Sequence, residues 1–392
     1  MIYVTKYRIY PSREVADTIF KQFNICTDLR NHCLDTHRFD VRMIPELRKE
    51  HPELKEVHSV VLQNMIFQIK DNIKALSKVK SKGKRVGKLR HRPVRTLIYE
   101  QTGYKIIDSK KLVLSKIGEI PIVISRPVIG DIKQVVVKFN RSTHKWSASV
   151  ISRTPDENGI RDEKRTVGID MNLTSFSHDS DGKIFKHPHN VRKASQQLGR
   201  AQRKLSKKKK GSNNRRKERV KVALIYKKVE NCRDDFLHKW SNYYVKNYDR
   251  IAVEKLNIKK MLEENPKNIP RWIKRGMNRN TLDASWGKAR TFVTYKAERA
   301  GCQIVAIDPS YSTQDCFKCD TRVPKELSER IHKCPTCGYT VNRDLNAAFN
   351  IRKKAFAVGW GTPESTLTEI GTSGSISTLN QVPVNEVRIS RL

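Results

Sequence analysis

The pattern of apolar and polar residues predicts two differently built halves of the chain. Near the start, IYVTKYRIY alternates as a strand does, whereas the next segment, from PSREVADTIF to about Phe39, and the later VVLQNMIFQIKDNIKAL repeat apolar residues at helical spacing. Between Tyr104 and Arg153, four short β-rich runs follow one another: KLVLSKI, IPIVISRP, IKQVVVKFN and KWSASVIS. Together with the first strand they predict a small antiparallel β-barrel, a form that often binds oligonucleotides.

A polar break at PDENGIRDEK predicts a domain boundary near residue 160, and the second half then alternates strands with helices. Strands are predicted over TVGIDMNL, ending at Asp170, over YDRIAVEKLNI and over CQIVAID, with a hairpin across HDSDGKIFKHP. Helices are predicted over VRKASQQLGRAQRKLS, LDASWGKARTFVTYKAERAG and NRDLNAAFNIRKKAF. Another helix is predicted where apolar residues recur every three or four positions, as a stripe that would face the core: Ile225, Val229, Cys232, Phe236, Trp240 and Tyr243. These elements predict an α/β domain joined to an all-β one, followed by a disordered tail over 359–392.

The strongly positive net charge of the chain indicates that its binding partner is a polyanion. Lys and Arg number 79 against 40 acidic residues, which gives a net charge of +39 on 392 residues. Such an excess would destabilise a compact fold unless nucleic acid neutralised it, so nucleic acid is the expected partner. With 37% hydrophobic residues the chain can still bury a core, and no apolar run is long enough for a membrane helix. A cytoplasmic protein without a membrane partner is therefore expected.

Two segments concentrate the positive charge, at residues 78–95 and 192–221. In the first, glycines interrupt the basic residues without any apolar period, which fits either a flexible phosphate-binding loop or a solvated linker. The candidate nucleic-acid contacts are Lys82, Lys84, Arg85, Lys88, Arg90, Arg92, Lys207, Lys208, Lys209, Lys210, Arg215 and Arg216.

Four of the eight cysteines form two CxxC pairs, Cys316 with Cys319 and Cys334 with Cys337. Two such pairs can present four thiolates to one tetrahedral Zn²⁺, which would then be structural because no open coordination position is left. A redox disulfide is the rival explanation, but it accounts for one pair only. The scattered cysteines are expected to be small buried hydrophobes: Cys26, Cys33, Cys232 and Cys302.

Three acids lie where an apolar element meets a polar end: Asp170, Glu254 and Asp344. A parallel or mixed sheet would bring the two strand ends together, and a helix packed on it could add the third carboxylate. Converging carboxylates fit two Mg²⁺ ions, the arrangement used in phosphodiester hydrolysis. Alternatively, each acid is a turn, an ion pair or a helix cap, and four other acids are also available: Asp179, Asp181, Asp283 and Asp308. The pattern alone does not decide.

The motifs taken together resemble the TnpB family of transposon-encoded proteins. VGIDMNL, IAVEKLNI, DPSYSTQDCFKC and KCPTCGYTVNRDLNAAFNI occur in the family's order and separation. Upstream, YRIYPSREVADTIFKQFN, GKLRHRPVRTLIYEQTGYKI and LSKIGEIPIVISRPVIGDIKQVVVKF extend the resemblance. It covers almost everything from Met1 to about Phe356.

The resemblance implies an RNase H-like (RuvC) nuclease that a guide RNA from the transposon end directs to double-stranded DNA beside a short adjacent motif. It implies catalytic, Mg²⁺-binding roles for Asp170, Glu254 and Asp344, one structural Zn²⁺ on the four paired cysteines, and a monomer on its RNA. The implied domains are a wedge barrel (1–10 and 96–160), a helical recognition domain (11–95), the RuvC-like nuclease (161–310 and 342–358) and a zinc ribbon (311–341).

Two positions depart from the family's pattern. The family commonly has Gly where Asn172 stands, and because Asn tolerates positive φ, the turn after Asp170 is expected to survive. It often has Asp where this chain has Asn342, so a contact near the metal site is expected to differ. Two other functions are weighed: a nuclease-inactive, RNA-guided DNA-binding regulator of the same fold, and a DNA-joining transposase, which the zinc ribbon and barrel disfavour.

Overall fold

A computed structural model describes residues 1–155, 159, 161, 165–263, 269–326 and 329–359. The chain divides between residues 156 and 157 into two compact units. All but the first residue of the predicted disordered tail, 360–392, lies outside the described residues. No helix in the described part is long and apolar enough to cross a bilayer.

The first unit is built around a seven-stranded antiparallel sheet. Its strands are β1 (Ile2–Ile9), β2 (Thr96–Glu100), β3 (Tyr104–Ile107), β4 (Lys111–Leu114), β5 (Gly118–Val123), β6 (Asp131–Asn140) and β7 (Lys145–Arg153). They lie in the order β2-β6-β7-β1-β5-β4-β3. Among the described residues no ladder joins the edge strands β2 and β3, so the predicted barrel is nearly, not fully, closed.

Strands β2 and β3 were not among the strands that the pattern predicts. In β2, Leu97, Ile98 and Tyr99 are all buried, so the strand lacks the alternation of a half-exposed one. The reason is a helix on its outer side: Asn64 Nδ2 donates to the carbonyl of Ile98 at 3.4 Å. A strand covered on both faces carries no period-two signal.

Three α-helices complete the first unit: α1 (Arg13–Thr36), α2 (Ile44–Glu50) and α3 (Ser59–Ser81). The Ser12 side chain caps α1 by accepting from the Val15 N–H, and His37 ends it in the left-handed region at φ 54°. The buried face of α1, which includes Ile19, Phe23 and Cys26, joins one core with α3 and the sheet. The two helices confirm the predicted helical periodicity.

The second unit contains a mixed five-stranded sheet. Its strands are β8 (Thr166–Met171), β9 (Ser177–Asp179), β10 (Ile184–Phe185), β11 (Arg250–Glu254) and β12 (Gln303–Ile307), in the order β10-β9-β8-β11-β12. Strands β8, β11 and β12 are parallel, whereas β9 and β10 form the predicted hairpin. Because β8 and β11 are parallel neighbours, their carboxyl ends meet at one edge.

Helices flank this sheet on both faces. They are α4 (Asn190–Ser206), α5 (Asn213–Asn247), α6 (Ile258–Glu263), α7 (Arg271–Ala284), α8 (Trp286–Ala300) and α9 (Arg343–Val358), with a small hairpin of β13 (Ile331–Lys333) and β14 (Thr340–Asn342) before the last. Helices α5 and α8 pack on Val167 and Ile169, and α9 packs on Ala252 and Val305. The predicted helix over 282–301 is wrong at its start, because Ser285 at φ 53° separates α7 from α8.

The predicted apolar stripe of α5 is displaced by about one position from its real buried face. Val229 and Trp240 are buried as predicted. Leu237 and Tyr244 are fully buried, whereas the predicted Phe236 and Tyr243 are only partly buried and pack against the edge of the same core. Cys232 is exposed, so the expectation that it is a buried hydrophobe is wrong, whereas the other scattered cysteines are buried. Over 35 residues, a small error in the assumed helical phase moves the face.

Close packing of α9 on β8 depends on one glycine. A Cβ on Gly168 would lie 2.3 Å from the Ala348 carbonyl oxygen and 2.6 Å from the Arg352 nitrogen. The absence of a side chain at this position therefore lets the backbone of α9 lie directly against the central strand. This contact sets the position of the first turn of α9 relative to the carboxyl end of β8.

Candidate metal centre

The three acids singled out by sequence occupy three separate elements. Asp170 lies near the end of β8, Glu254 ends β11, and Asp344 lies in the first turn of α9. All three are buried, with 5%, 7% and 7% of their surfaces exposed. The parallel β8–β11 pair and the α9–β8 packing bring them to the same edge of the sheet, as the predicted topology requires.

The charge of each neighbouring acid affects the pKa of the next, and Asp170 interacts with both of the others. Burial and the charge of Asp344 raise the pKa of Asp170 to about 7. Burial and the charge of Asp170 raise the pKa of Glu254 well above its usual value. The backbone N–H of Met171 donates to Glu254 Oε2 at 3.2 Å, which ties the end of β11 to that of β8. The cluster therefore holds more negative charge than its own hydrogen bonds neutralise.

The four alternative acids each have a local structural partner. Asp179 accepts from the backbone of Asp181 and Lys183 and from Tyr244, while Asp181 accepts from Tyr248. Asp283 pairs with Arg233 and accepts from the Val191 N–H, and Asp308 accepts from Ser310. The local interpretation thus fits these four acids. Asp170, Glu254 and Asp344 also have hydrogen-bond partners, but they differ from the four because they share one edge of the sheet.

The centre also includes polar residues that sequence reasoning missed. His178, opposite Asp170 in the β8–β9 register, places Nε2 3.9 Å from Asp344 Oδ2, and burial lowers its pKa. Arg343 Nε donates to Asp344 Oδ1 at 3.3 Å. The Ser312 side chain hydrogen-bonds Glu254. The hairpin register could have identified His178, because the hairpin itself was predicted; nothing in the sequence pointed to Ser312.

The two departures from the TnpB pattern have structural explanations. The expectation that residue 172 needs positive φ is wrong: in this turn Phe176, at φ 31°, has the positive value, and Asn172 does not. Asn172 instead donates from Nδ2 to Asp170 Oδ2 at 3.3 Å and accepts from the Ser175 N–H at 2.8 Å. Asn342 caps α9 by accepting from the Asp344 N–H at 2.9 Å, a role in which Asn and Asp are equivalent.

The four paired cysteines converge as a second cluster. Their sulfur atoms all lie within 4.8 Å of one another, with Cys316 Sγ 3.6 Å from Cys337 Sγ and Cys319 Sγ 3.5 Å from Cys334 Sγ. A disulfide would require about 2.05 Å, whereas a tetrahedral Zn²⁺ with Zn–S bonds of about 2.3 Å would separate its sulfurs by about 3.8 Å. The donor set and spacing fit zinc and exclude the redox-disulfide explanation for this conformation.

Both cysteine pairs sit on the same type of turn. The N–H of Cys316 donates to the Thr321 carbonyl, and that of Cys334 donates to the Tyr339 carbonyl, at 3.0 and 2.9 Å. Four positions after each of these cysteines a residue has positive φ: Asp320 at 58° and Gly338 at 70°. The repeated geometry presents the two sulfurs of each pair to one point.

Helix α9 links the cysteine module to the carboxylate centre. Asn346 Nδ2 donates to the Asp315 carbonyl at 2.8 Å, and Asn350 Nδ2 donates to the carbonyls of Ser312 and Asp315 at 2.8 and 2.7 Å. Both asparagines are buried. The loop they hold leads directly to Cys316 and carries the Ser312 that contacts Glu254.

The candidate nucleic-acid residues are mostly solvent-accessible. Lys82 to Arg92 lie on the segment between α3 and β2, where Arg30 Nη1 donates to the Arg90 carbonyl at 3.0 Å. Lys207 to Lys210 are exposed at the α4–α5 turn. Arg215 differs from the rest, because its Nη1 donates to the carbonyls of Leu205 and Lys208 and so closes that turn.

Comparisons with known proteins converge on these two clusters. A family model named OrfB_IS605, described as "Probable transposase", matches residues 149–265, which include Asp170 and Glu254. A second model, "Cas12f1-like, TNB domain", matches residues 286–351, which include the four cysteines and Asp344.

Two curated relatives and one solved structure extend the similarity. The Escherichia coli (strain K12) protein "Putative RNA-guided DNA endonuclease InsQ" is 32% identical over 259 residues, which are 64% of this chain. The matched part spans 63% of that protein, which is less than two thirds of its length. A "Putative RNA-guided DNA endonuclease" of Streptomyces pristinaespiralis is 29% identical across 88% of this chain and 87% of its own.

The solved structure is that of Cas12f1 in the "Cas12f1-sgRNA-target DNA complex". It aligns with a TM-score of 0.52 over 90% of this chain and 98% of its own, at 11% identity, so it supports the fold alone. The two family models and the sequence motifs agree in position along the chain. The chain is therefore similar to OrfB_IS605 and Cas12f1-like TNB proteins and to relatives named RNA-guided DNA endonucleases, in agreement with the resemblance of its motifs to the TnpB family.

Proposed function

We propose that this protein is an RNA-guided DNA endonuclease that cleaves double-stranded DNA beside a short adjacent motif. The observation that carries the proposal is the convergence of Asp170, Glu254 and Asp344, all buried and without enough cationic partners, at one edge of the sheet. Evolution rarely retains such a costly cluster without a cation to bind. The names of the relatives support the same activity.

The carboxylate oxygens of Asp170, Glu254 and Asp344 suit Mg²⁺. When bound, a pair of such ions activates water and stabilises the leaving oxygen in phosphodiester hydrolysis. The chain's own contribution is to aim the acids: the Met171 N–H and Ser312 hold Glu254, Asn172 holds Asp170, and Arg343 orients Asp344.

Sequence recognition would lie in base pairing, with the protein binding backbone shape and charge. The exposed lysines and arginines of 82–92 and 207–216 are the proposed phosphate contacts for a guide RNA and its DNA target. In this assignment the nearly closed sheet of the first unit is the wedge barrel, and its helices are the recognition domain. The second unit comprises the RuvC-like nuclease, interrupted by the zinc ribbon.

The test uses the protein purified with its co-expressed RNA. A plasmid library with a target matched to that RNA and random flanking bases is incubated with Mg²⁺, and linear products are sequenced. Wild type should cut only matched plasmids with a defined flank, and Asp170→Asn should not cut. Asp308→Asn is the matched control, because Asp308 is an exposed acid whose hydrogen bonds come from Ser310 in its own turn.

A wild-type protein that binds the matched plasmids in a flank-dependent way, yet never cuts, would contradict the nuclease proposal. It would favour the RNA-guided regulator instead. Cutting that persists in Asp170→Asn at the wild-type rate would place the chemistry elsewhere.

A further inference from the structure

Helix α7 exposes an unusual concentration of large apolar side chains. Trp272 is 73% exposed, and Leu282, Ile273 and Met277 are 57%, 37% and 36% exposed, all within 14 residues. Single exposed apolar residues need no explanation, but a largely exposed indole with three further exposed apolar side chains on the same helix does. A surface of this kind is expected to bind something.

The charge on the same helix is uniformly positive where it meets solvent. Arg271, Arg275 and Arg279 are exposed, and none of the three has a hydrogen bond or ion pair among the described residues. The acid on the helix, Asp283, is buried and paired with Arg233. Arg275 and Arg279 follow Trp272 by three and seven positions, so they project from the same side of the helix as the indole.

The opposite side of α7 is anchored, so the exposed face is a stable surface. Lys274 Nζ donates to the Met261 carbonyl at 2.7 Å, and Asn278 Nδ2 donates to the Leu262 carbonyl at 3.3 Å. Both acceptors belong to α6, which begins four residues after Glu254. The face is therefore attached to the segment that leaves the carboxylate centre.

We propose that Trp272, Arg275 and Arg279 form a stacking site for an unpaired nucleotide. The indole supplies a flat aromatic surface for a base of any identity, and the two guanidinium groups bind the flanking phosphates. The site deepens the proposed function and rests on it for its purpose, because a strand cut at the carboxylates must be separated from its complement. The unpaired nucleotide is assigned to that DNA strand, because α7 is anchored to the segment that leaves the carboxylate centre.

Photocrosslinking tests the site directly. The RNA-bound protein is irradiated with a single-stranded DNA oligonucleotide containing 5-iododeoxyuridine, or with an RNA oligonucleotide containing 5-iodouridine, and the adducts are mapped by mass spectrometry. An adduct at Trp272 is expected. It should disappear in Trp272→Ala and persist, at the substituted ring, in Trp272→Phe. The DNA oligonucleotide should give the stronger adduct, and a stronger adduct with the RNA oligonucleotide would overturn the assignment to the DNA strand.

Affinity measurements provide the second readout. Trp272→Ala should weaken binding of the single-stranded DNA oligonucleotide by about 10-fold, within the range for loss of one stacked base. Arg275→Ala combined with Arg279→Ala should reduce the salt dependence, with the slope of log K against log salt falling by about 1.4. Met277→Ala is the matched control: it removes an exposed apolar side chain about 140° around the same helix.

Adducts that form elsewhere on the protein but not at Trp272, together with wild-type affinity in Trp272→Ala, would overturn the proposal and leave the surface to a protein partner. Trp272→Phe binding as weakly as Trp272→Ala would also overturn it, since stacking needs only an aromatic ring. Neither readout requires cleavage. A catalytically silent wild type would thus defeat the proposed function without deciding the stacking site.

Discussion

The cysteine cluster and the carboxylate cluster assemble potential metal ligands in opposite ways. All four cysteines lie between Cys316 and Cys337, on two turns that repeat the same backbone hydrogen bonds. The three acids, in contrast, lie far apart in sequence, on two strands and a helix: Asp170, Glu254 and Asp344. The first cluster is a local structure whose geometry fits a metal ion, and the second forms only when the whole unit has folded.

This difference predicts different consequences of losing a ligand. No described residue of the cysteine module belongs to the hydrophobic cores of the two units, so metal binding should supply much of its folding free energy. In the carboxylate cluster the sheet core holds the acids in place at an electrostatic cost, so removing a charge should relieve strain while removing function. Four mutations test the contrast.

Cys334→Ser should have the largest effect. Structural zinc contributes about 10–16 kcal/mol in isolated zinc-finger peptides, so loss of one thiolate should abolish zinc binding and lower the melting temperature sharply. Zinc content is measured by mass spectrometry and unfolding by calorimetry. Cys232→Ser is the control, because Cys232 is exposed and outside the cluster. A variant that loses zinc but keeps its melting temperature would show that the module folds without the metal.

Asp170→Asn should abolish cleavage without weakening the fold. The rate is expected to fall by more than the 10–100-fold typical of residues around a metal ligand, so by more than about 100-fold. In the absence of Mg²⁺ the variant should melt no lower than wild type, because a buried charge beside Asp344 has been removed.

Thermal unfolding with and without Mg²⁺ separates the two roles of Asp170. Wild type should be stabilised by the ion, and Asp170→Asn should not. Equal stabilisation of both proteins would mean that Mg²⁺ binds elsewhere. Lower stability of the variant without Mg²⁺ would instead make Asp170 a structural residue and remove the contrast with the cysteines.

Gly168→Ala should affect both the fold and the centre. Its new Cβ would overlap the backbone of α9, so the helix that carries Asp344 must move, at a cost of about 1–3 kcal/mol. Gly199→Ala in α4 is the matched control, because a Cβ there meets no atom within 4 Å. Melting temperature and cleavage rate are compared. If the two variants behave alike, the position of α9 does not depend on close contact with β8.

Ser312→Ala should have the smallest effect. It removes the hydrogen bond to Glu254, worth about 1.5–3 kcal/mol for a charged acceptor, and should raise the Mg²⁺ concentration needed for half-maximal cleavage by about 10-fold. The melting temperature should change little. Ser310→Ala is the control, since the Ser310 hydroxyl donates to Asp308 and not to an acid of the carboxylate centre. An unchanged Mg²⁺ requirement would show that Met171 alone positions Glu254.

Several features of the fold could be predicted from local sequence. The helices α1 and α3, the strands β8, β11 and β12, and the β9–β10 hairpin all follow from hydrophobic spacing. Strand β2 could not, because a strand covered on both faces loses its alternation. The buried face of α5 was displaced by one position, since a long helix magnifies an error in the assumed period.

The sequence by itself determined the cysteine cluster, because the ligands, the turn residues Asp320 and Gly338 and the hydrogen bonds between them all lie within about 25 residues. It also determined which acids were candidates. Only the tertiary structure separates the candidate acids in space, because Asp179, Asp181, Asp283 and Asp308 have local partners and the three others lie at one sheet edge. The physical reason is that carboxylates far apart in sequence acquire a common electrostatic environment only through strand order and the packing of α9 on Gly168.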